Sequence, residues 1–97
     1  MTIQNLTFRT TPIFKKQGVL KASIFGSFAR GDNNKNSDID FLVKLVSGKS
    51  LLDLIGLKQE LEDALGKKVD IITYNSIHPL LKKSILKDQK VIYEKKS

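Results

Sequence analysis

The chain contains no cysteine, so neither disulfides nor thiolate metal sites can be built from it. Its single histidine, His78, lacks a second histidine or a cysteine to share an ion and, beside Pro79, reads as a helix cap. No apolar run approaches the ~20 residues that a membrane span needs. The opening segment MTIQNLTFRT lacks the basic-then-apolar layout of a secretory signal, and together these features point to the cytoplasm. Repeats, low-complexity tracts and linker-like stretches are also missing, so the 97 residues read as one domain, 1–97. Acidic residues are scarce, 10 against 17 basic ones, which leaves a formal net charge of +7. That surplus suits a polyanionic partner. Many of the lysines (Lys67, Lys68, Lys82, Lys83, Lys87, Lys90, Lys95, Lys96) fall in the last third, and no aromatics interleave with them as a base-stacking platform requires. Direct nucleic-acid binding is therefore disfavoured, and solvation of a small protein accounts for the charge.

What is present reads as alternating helices and strands. Thr11-Pro12 begins a short helix that runs through Gln17 and stops at Gly18. Val19–Phe25 is β-rich and forms a first strand, Ser27–Arg30 a helical turn closed by Gly31, and Asp32–Asn36 a polar loop. Asp38–Leu45 is a second strand. Ser50 and Asp53 make a capping-box-like helix start, and Leu51, Leu54, Leu57, Leu61, Ala64 and Leu65 follow at helical spacing up to Gly66. Lys68–Thr73 is a third strand. A last helix starts at His78-Pro79 with Ile77, Leu81 and Ile85 as its buried stripe, and Val91–Tyr93 is a final strand. The fold class this predicts is α/β (α+β), a small mixed sheet of about four strands with helices packed on it. A right-handed crossover through the long helix joins strands two and three.

Chemistry concentrates in residues 24–43, IFGSFARGDNNKNSDIDFLV. An apolar run ends in Gly26-Ser27, and after ten intervening residues comes Asp38-Ile39-Asp40-Phe41. In a strand, residues i and i+2 share a face, so Asp38 and Asp40 project together while Ile39 and Phe41 enter the core. Two carboxylates that close repel by roughly 1 kcal/mol in water and about 4 kcal/mol at an effective dielectric of 20. A cation relieves that repulsion, and magnesium suits, since it takes one or two carboxylates, waters and phosphate oxygens. The glycine lets backbone N–H groups approach a phosphate closely. Ser27 can donate to phosphate or cap the turn, and Arg30 can clamp phosphate oxygens or cap it. Asp70 interrupts the apolar strand Val69-Asp70-Ile71-Ile72, and is either a third acid at the site or an edge carboxylate turned to solvent or paired with a neighbouring lysine. Ser37 reads as fixing the loop before the strand. Asp32, Asp53, Glu60, Glu62 and Asp63 read as solvated charge on loop or helix faces.

The compound pattern, Gly26-Ser27-Phe28-Ala29-Arg30-Gly31 followed by Ser37-Asp38-Ile39-Asp40 with Val43 beyond, resembles the GSxARG…SDIDxxV signature of the minimal nucleotidyltransferases. These are the smallest branch of the polymerase-β-like nucleotidyltransferase superfamily. The resemblance implies transfer of AMP from ATP to a hydroxyl, with loss of pyrophosphate. It implies Asp38, Asp40 and Asp70 as catalytic and metal-binding residues for a pair of Mg²⁺ ions, and Gly26, Ser27 and Arg30 as nucleotide-binding residues. Lys67-Lys68-Val69-Asp70 sits where that family places its third acid, which also takes the proton from the attacking hydroxyl. The resemblance further implies a partner, because larger relatives append a helical domain that forms the other wall of the cleft, while this chain stops at Ser97. Minimal nucleotidyltransferases pair with a helical HEPN-domain protein, acting as antitoxins that adenylylate a tyrosine of the toxin. A hetero-oligomer is thus expected, and Leu52, outside the leucine stripe of the long helix, is expected to be exposed. Three other readings stand beside it: an antitoxin acting by binding alone, a nucleotidyltransferase with a small-molecule acceptor, and a nucleic-acid-binding module.

Overall fold

The computed structural model describes residues 1–34 and 36–95; Lys96, one of the basic residues counted above, lies outside them. The elements are α1 (Ile3–Lys16), β1 (Val19–Phe25), α2 (Gly26–Arg30), β2 (Ile39–Leu45), α3 (Leu51–Leu65), β3 (Val69–Thr73), a 3₁₀ turn (Tyr74–Ser76), α4 (Pro79–Asp88) and β4 (Lys90–Glu94). The four strands form one sheet in the order β3-β2-β1-β4. β1 pairs antiparallel with both β2 and β4, whereas β2 and β3 run parallel and are joined through α3. The expected small mixed sheet is what the chain forms.

One face of the sheet carries Ala22, Ile24, Ile39, Phe41, Val43 and Val69, all buried against α1 and α3. The ring of Phe14 on α1 meets Phe41 edge-on at 6.0 Å between centroids and lies 5.6 Å from Tyr93 of β4. The opposite face carries Lys21, Ser23, Asp40, Leu42, Lys44 and Asp70, by the strict alternation of strand side chains. Leu42 on that face is fully buried, as is Ser23. The Ser23 hydroxyl lies 2.7 Å from Tyr74 Oη, and Tyr74 donates in turn to Gln89 Oε1 at 2.8 Å.

The first helix differs from its expected extent. It begins at Ile3, with Thr2 as its cap accepting from Asn5 N–H at 3.0 Å, so Pro12 lies inside the helix and Thr11 caps nothing. Tertiary packing overrides the threonine-rich composition: Leu6, Thr10 and Phe14, four residues apart, are all buried. Thr7, Thr10 and Thr11 remain compatible with helix by turning their hydroxyls back onto the carbonyls of Ile3, Leu6 and Thr7.

The long helix starts and stops where its caps predict. Asp53 Oδ2 accepts from Ser50 N–H at 2.8 Å, and Gly66 closes the last turn in the left-handed region at φ +65°. Its buried stripe is narrower than expected, since Leu57, Leu61 and Leu65 are buried while Leu51 is 71% exposed and Ala64 also faces outward. Leu51 sits six residues before Leu57, which at 100° per residue turns it well away from the core. Leu52 is exposed, as expected. Two acids of this helix are not free charge. Glu60 pairs with Lys16 at 2.9 Å and accepts from Gln17, tying α1 to α3. Glu62 accepts the N–H of Val69 at 2.9 Å, satisfying the first amide of β3. On α4, His78 caps as expected, its Nδ1 accepting from Leu80 N–H at 3.1 Å. Of the three residues expected in its buried stripe, Ile77 is buried, Ile85 is half-buried and Leu81 is 55% exposed.

Pro12 deprives the Phe8 carbonyl of its helical donor. Proline costs about 3 kcal/mol relative to alanine in a helix interior. Part of that, about 0.4–1 kcal/mol, is offset by the stiffer unfolded chain. Pro12→Ala should therefore raise stability by about 2 kcal/mol in urea denaturation. An unchanged or lower midpoint would show that the helix accommodates the ring at no loss.

Candidate active site

Strand register assembles the site. Asp40 on β2 lies directly opposite Phe25 on β1 and directly beside Asp70 on β3. In a parallel pair at the same register, side chains leave the same face, so the carboxylates of Asp40 and Asp70 emerge side by side about 4.8 Å apart at the backbone. Asp38 stands two residues before Asp40, just ahead of the strand, where Ile39 N–H donates to Lys68 O at 3.1 Å and pins the start of the ladder. All three sequence-predicted acids therefore converge at one end of one sheet face.

Electrostatics records that convergence. Asp40 is half-buried, and its carboxyl is held above the usual carboxylate range by burial first, then by the charges of Asp70 and Asp38, with Arg30 opposing. Asp38 and Asp70 remain exposed. Among the described residues no three acidic, histidine or cysteine side chains form a ready-made ion cage. The donors are hard carboxylate oxygens, to which water and phosphate oxygens complete a magnesium sphere.

Gly26 lies immediately against Asp40. Its φ of +73° is in the left-handed region, and a Cβ built there would collide with Asp40 Oδ2. Two separate constraints thus demand glycine at this position. The turn that follows is α2, where Phe28 and Ala29 are buried and anchor it, and Gly31 at φ +80° ends it. Ser27 is half-buried at its start, and its carbonyl accepts from Asp32 N–H at 3.1 Å.

Arg30 points outward from this turn. Its Nε donates to Asp32 Oδ2 at 3.2 Å and its Nη1 to Asp88 Oδ2 at 3.4 Å, and these two carboxylates hold it cationic. The guanidinium is close enough to act on Asp40, but it is braced by two acids rather than free. Asp32, expected to be solvated, is one brace. Asp88 is the residue sequence reasoning missed. A signal existed: an acid in the last turn of a helix opposes the helix dipole, which marks it for a cationic partner. Ser37 fixes the loop as expected, its hydroxyl accepting from Asn34 N–H at 2.9 Å.

Comparison with known proteins bears on this arrangement. The family model described as Polymerase beta, Nucleotidyltransferase matches residues 9–97. The chain belongs to this family. Among its relatives, MJ0435 of Methanocaldococcus jannaschii, named as a protein adenylyltransferase, is 57% identical over 88 residues, covering 91% of this chain and 95% of its own. The protein adenylyltransferase MntA of Thermococcus cleftensis is 34% identical over 88 residues, covering 91% of this chain and 87% of its own. A structure described as a minimal nucleotidyltransferase superposes with a TM-score of 0.79 at 33% identity, over 93% of this chain and 95% of that one. Two more distant structures share the fold alone. One is a toxin–antitoxin with AMP-PNP, with a TM-score of 0.79 at 22% identity, over 92% of this chain and 73% of that one. The other is a tri-AMPylated Shewanella oneidensis HEPN toxin in complex with MNT antitoxin, with a TM-score of 0.74 at 19% identity, over 97% of this chain and 74% of that one. The chain is thus a minimal nucleotidyltransferase, as its GSFARG and SDID elements led one to expect.

Burial of Asp40, with the crowding of its neighbouring acids, has a measurable consequence in this nucleotidyltransferase. Because the folded pKa of Asp40 is raised, folding favours its protonated form. Its contribution to stability is fully present below the unfolded value and is lost as pH rises through the folded one. Asp40→Asn should therefore be more stable than wild type at neutral pH in EDTA, with the gap narrowing as pH falls toward 4. Thermal melts across that range check this, and a gap independent of pH would contradict it.

Proposed function

We propose that the chain, acting as a single domain over residues 1–97, transfers AMP from ATP to a tyrosine hydroxyl of a helical HEPN-domain partner, and so serves as the antitoxin of that pair. The observation that carries this reading is the in-register placement of Asp40 beside Asp70, with Asp38 adjoining and Gly26 pressed against Asp40. The adenylyltransferase names of its relatives and the AMPylated toxin beside an MNT chain support the choice of donor and acceptor. The use of ATP points to the cytoplasm.

Asp38 and Asp40 would hold one magnesium ion, and Asp70 would share a second. Bound there, magnesium would neutralise the charge of the triphosphate. The remaining work falls to the chain itself. Gly26 leaves room for the Asp40 carboxylate against the backbone, and Ser27 offers phosphate a hydroxyl and an N–H. Arg30, held by Asp32 and Asp88, presents its remaining donors to phosphate oxygens without losing rotamer freedom at binding. Asp70, the exposed acid on the neighbouring strand, takes the proton of the acceptor hydroxyl. The hydroxyl oxygen then bonds to the α-phosphorus, the bond between that phosphorus and the bridging oxygen breaks, and pyrophosphate leaves. Catalysis rests mainly on positioning and on stabilising charge that spreads over phosphate oxygens.

The direct test is co-expression with the HEPN-domain protein of the same organism, purification of the complex, and mass analysis of partner tyrosines for added AMP. AMP on tyrosine supports the proposal. A bound but unmodified partner indicates inhibition by binding alone, and labelling of a free metabolite indicates a small-molecule acceptor. Asp38→Asn or Asp40→Asn should abolish labelling from radioactive ATP at saturating magnesium while the far-ultraviolet circular dichroism is retained; full activity in either variant would sink the two-acid site. Asp70→Asn should reduce the single-turnover rate by far more than nucleotide affinity, since its proton comes from the acceptor. Equal losses in both would assign Asp70 to nucleotide binding instead.

A further inference from the structure

The sheet face that carries the acids at one end gathers cations at the other, with Glu94 of β4 at its margin beside Lys21. Lys44 lies four residues along β2 from Asp40, about 13 Å away at the rise of an extended strand. Lys21 on β1 is its direct cross-strand partner, so both side chains leave the same face. Like charges directly opposite one another in a sheet are destabilising. A third cation, Lys49, arrives from the loop after β2, its stem packed over the bare α-carbon of Gly18, where a Cβ would lie 3.0 Å from Lys49 Cε. These three lysines border a groove of about 670 Å³ whose other walls include Ser47, Tyr74 and Asn75.

No acid lines this groove. Among the described residues no ion pair engages Lys21, Lys44 or Lys49. Glu94, opposite Lys21 on β4, and Asp53, which feels the charge of Lys49, both stand outside its walls, and Asp53 is already bonded to Ser50. Tyr74 is held at its hydroxyl by Ser23 and Gln89, so its ring is a fixed wall between the groove and the rest of the face. The ring is also occupied: Lys21 Nζ sits 5.3 Å from its centroid. A nucleobase would have to displace that ammonium to stack there.

We propose that this groove is a second anion site, separate from the acids, that binds the phosphates of a small polyphosphate and ignores any attached base. Three compact, rotatable ammonium groups around a concave volume match several phosphate charges as point charges, whereas planar readout would call for arginine. Hydroxyl and amide donors from Ser47 and Asn75 complete the lining. A bound anion also removes the like-charge opposition of Lys21 and Lys44. The site does not depend on the transfer reaction proposed above.

The test uses the full chain in EDTA, which removes divalent ions, with inorganic pyrophosphate, ADP and GDP as probes. Pyrophosphate should raise the melting temperature saturably and shift the amide resonances of residues 44–49 and 73–75, with weaker binding at high salt. ADP and GDP should match one another, and their comparison with pyrophosphate separates a free from a nucleotide-borne source. Lys44→Gln should melt higher than wild type without anion and bind pyrophosphate about three- to tenfold more weakly. Asp40→Asn should bind it as wild type does. If Lys44→Gln misfolds, Lys49→Gln on the loop carries the same comparison. Absence of a saturable shift, undiminished affinity in the lysine variants, or shifts confined to residues 26–30 would each overturn the proposal, as would a marked preference between ADP and GDP.

Discussion

Parallel, in-register pairing of β2 with β3 is the constraint on which this structure turns. It sets Asp40 and Asp70 side by side, and everything around them answers to that juxtaposition. Asp40 is the most buried of the three acids, and its pKa is raised by that burial first and by the charges of Asp70 and Asp38 next. The rest of the fold holds the arrangement. Ile39, Phe41 and Val69 are buried on the reverse face, so neither strand can slip by one residue without exposing its apolar side chains. Glu62 closes the first amide of β3, and Lys68 O receives Ile39 N–H, so the register is locked just where the acids begin.

Charge is divided unevenly within a chain of net charge +7. At long range an anion is attracted; within a Debye length of roughly 8 Å in physiological salt it meets local groups instead. At the acid end it meets three carboxylates and a braced Arg30, and favourable contact there requires a counter-charge. At the other end it meets lysines directly. One small sheet thus offers two opposite local fields on a single face, with Tyr74 fixed between them.

Much of this was legible in the sequence because its signals are local. Acids alternating with apolar residues mark Asp38 and Asp40, an acid inside an apolar strand marks Asp70, and capping residues mark the bounds of α3 and the start of α4. The parts that were not legible depend on groups far apart in the chain. The first half of α1 is helical because Leu6, Thr10 and Phe14 find a core, not because its threonines favour helix. Glu60 and Glu62 look like surface charge until α1 and β3 arrive beside them. Arg30 and Asp88 are 58 residues apart, so no window around either one shows the pairing. Leu81 fits the same helical stripe as Ile77, but only Ile77 is buried, which spacing alone does not reveal.

The strand order has a consequence for how the chain comes into being. β1 lies inside the sheet, flanked by β2 on one side and by β4 on the other. A chain made from its N-terminus has β2 at hand soon after β1, but β4 only after α3, β3 and α4 have followed. Until then the apolar stretch VLKASIF presents an open edge of unpaired backbone groups, the kind of surface that recruits other chains. The short last strand, Lys90–Glu94, therefore acts as a closure on an edge that would otherwise stay open. Damage to that strand would be felt first as loss of solubility, well before any loss of chemistry at the acids on the far side of β1.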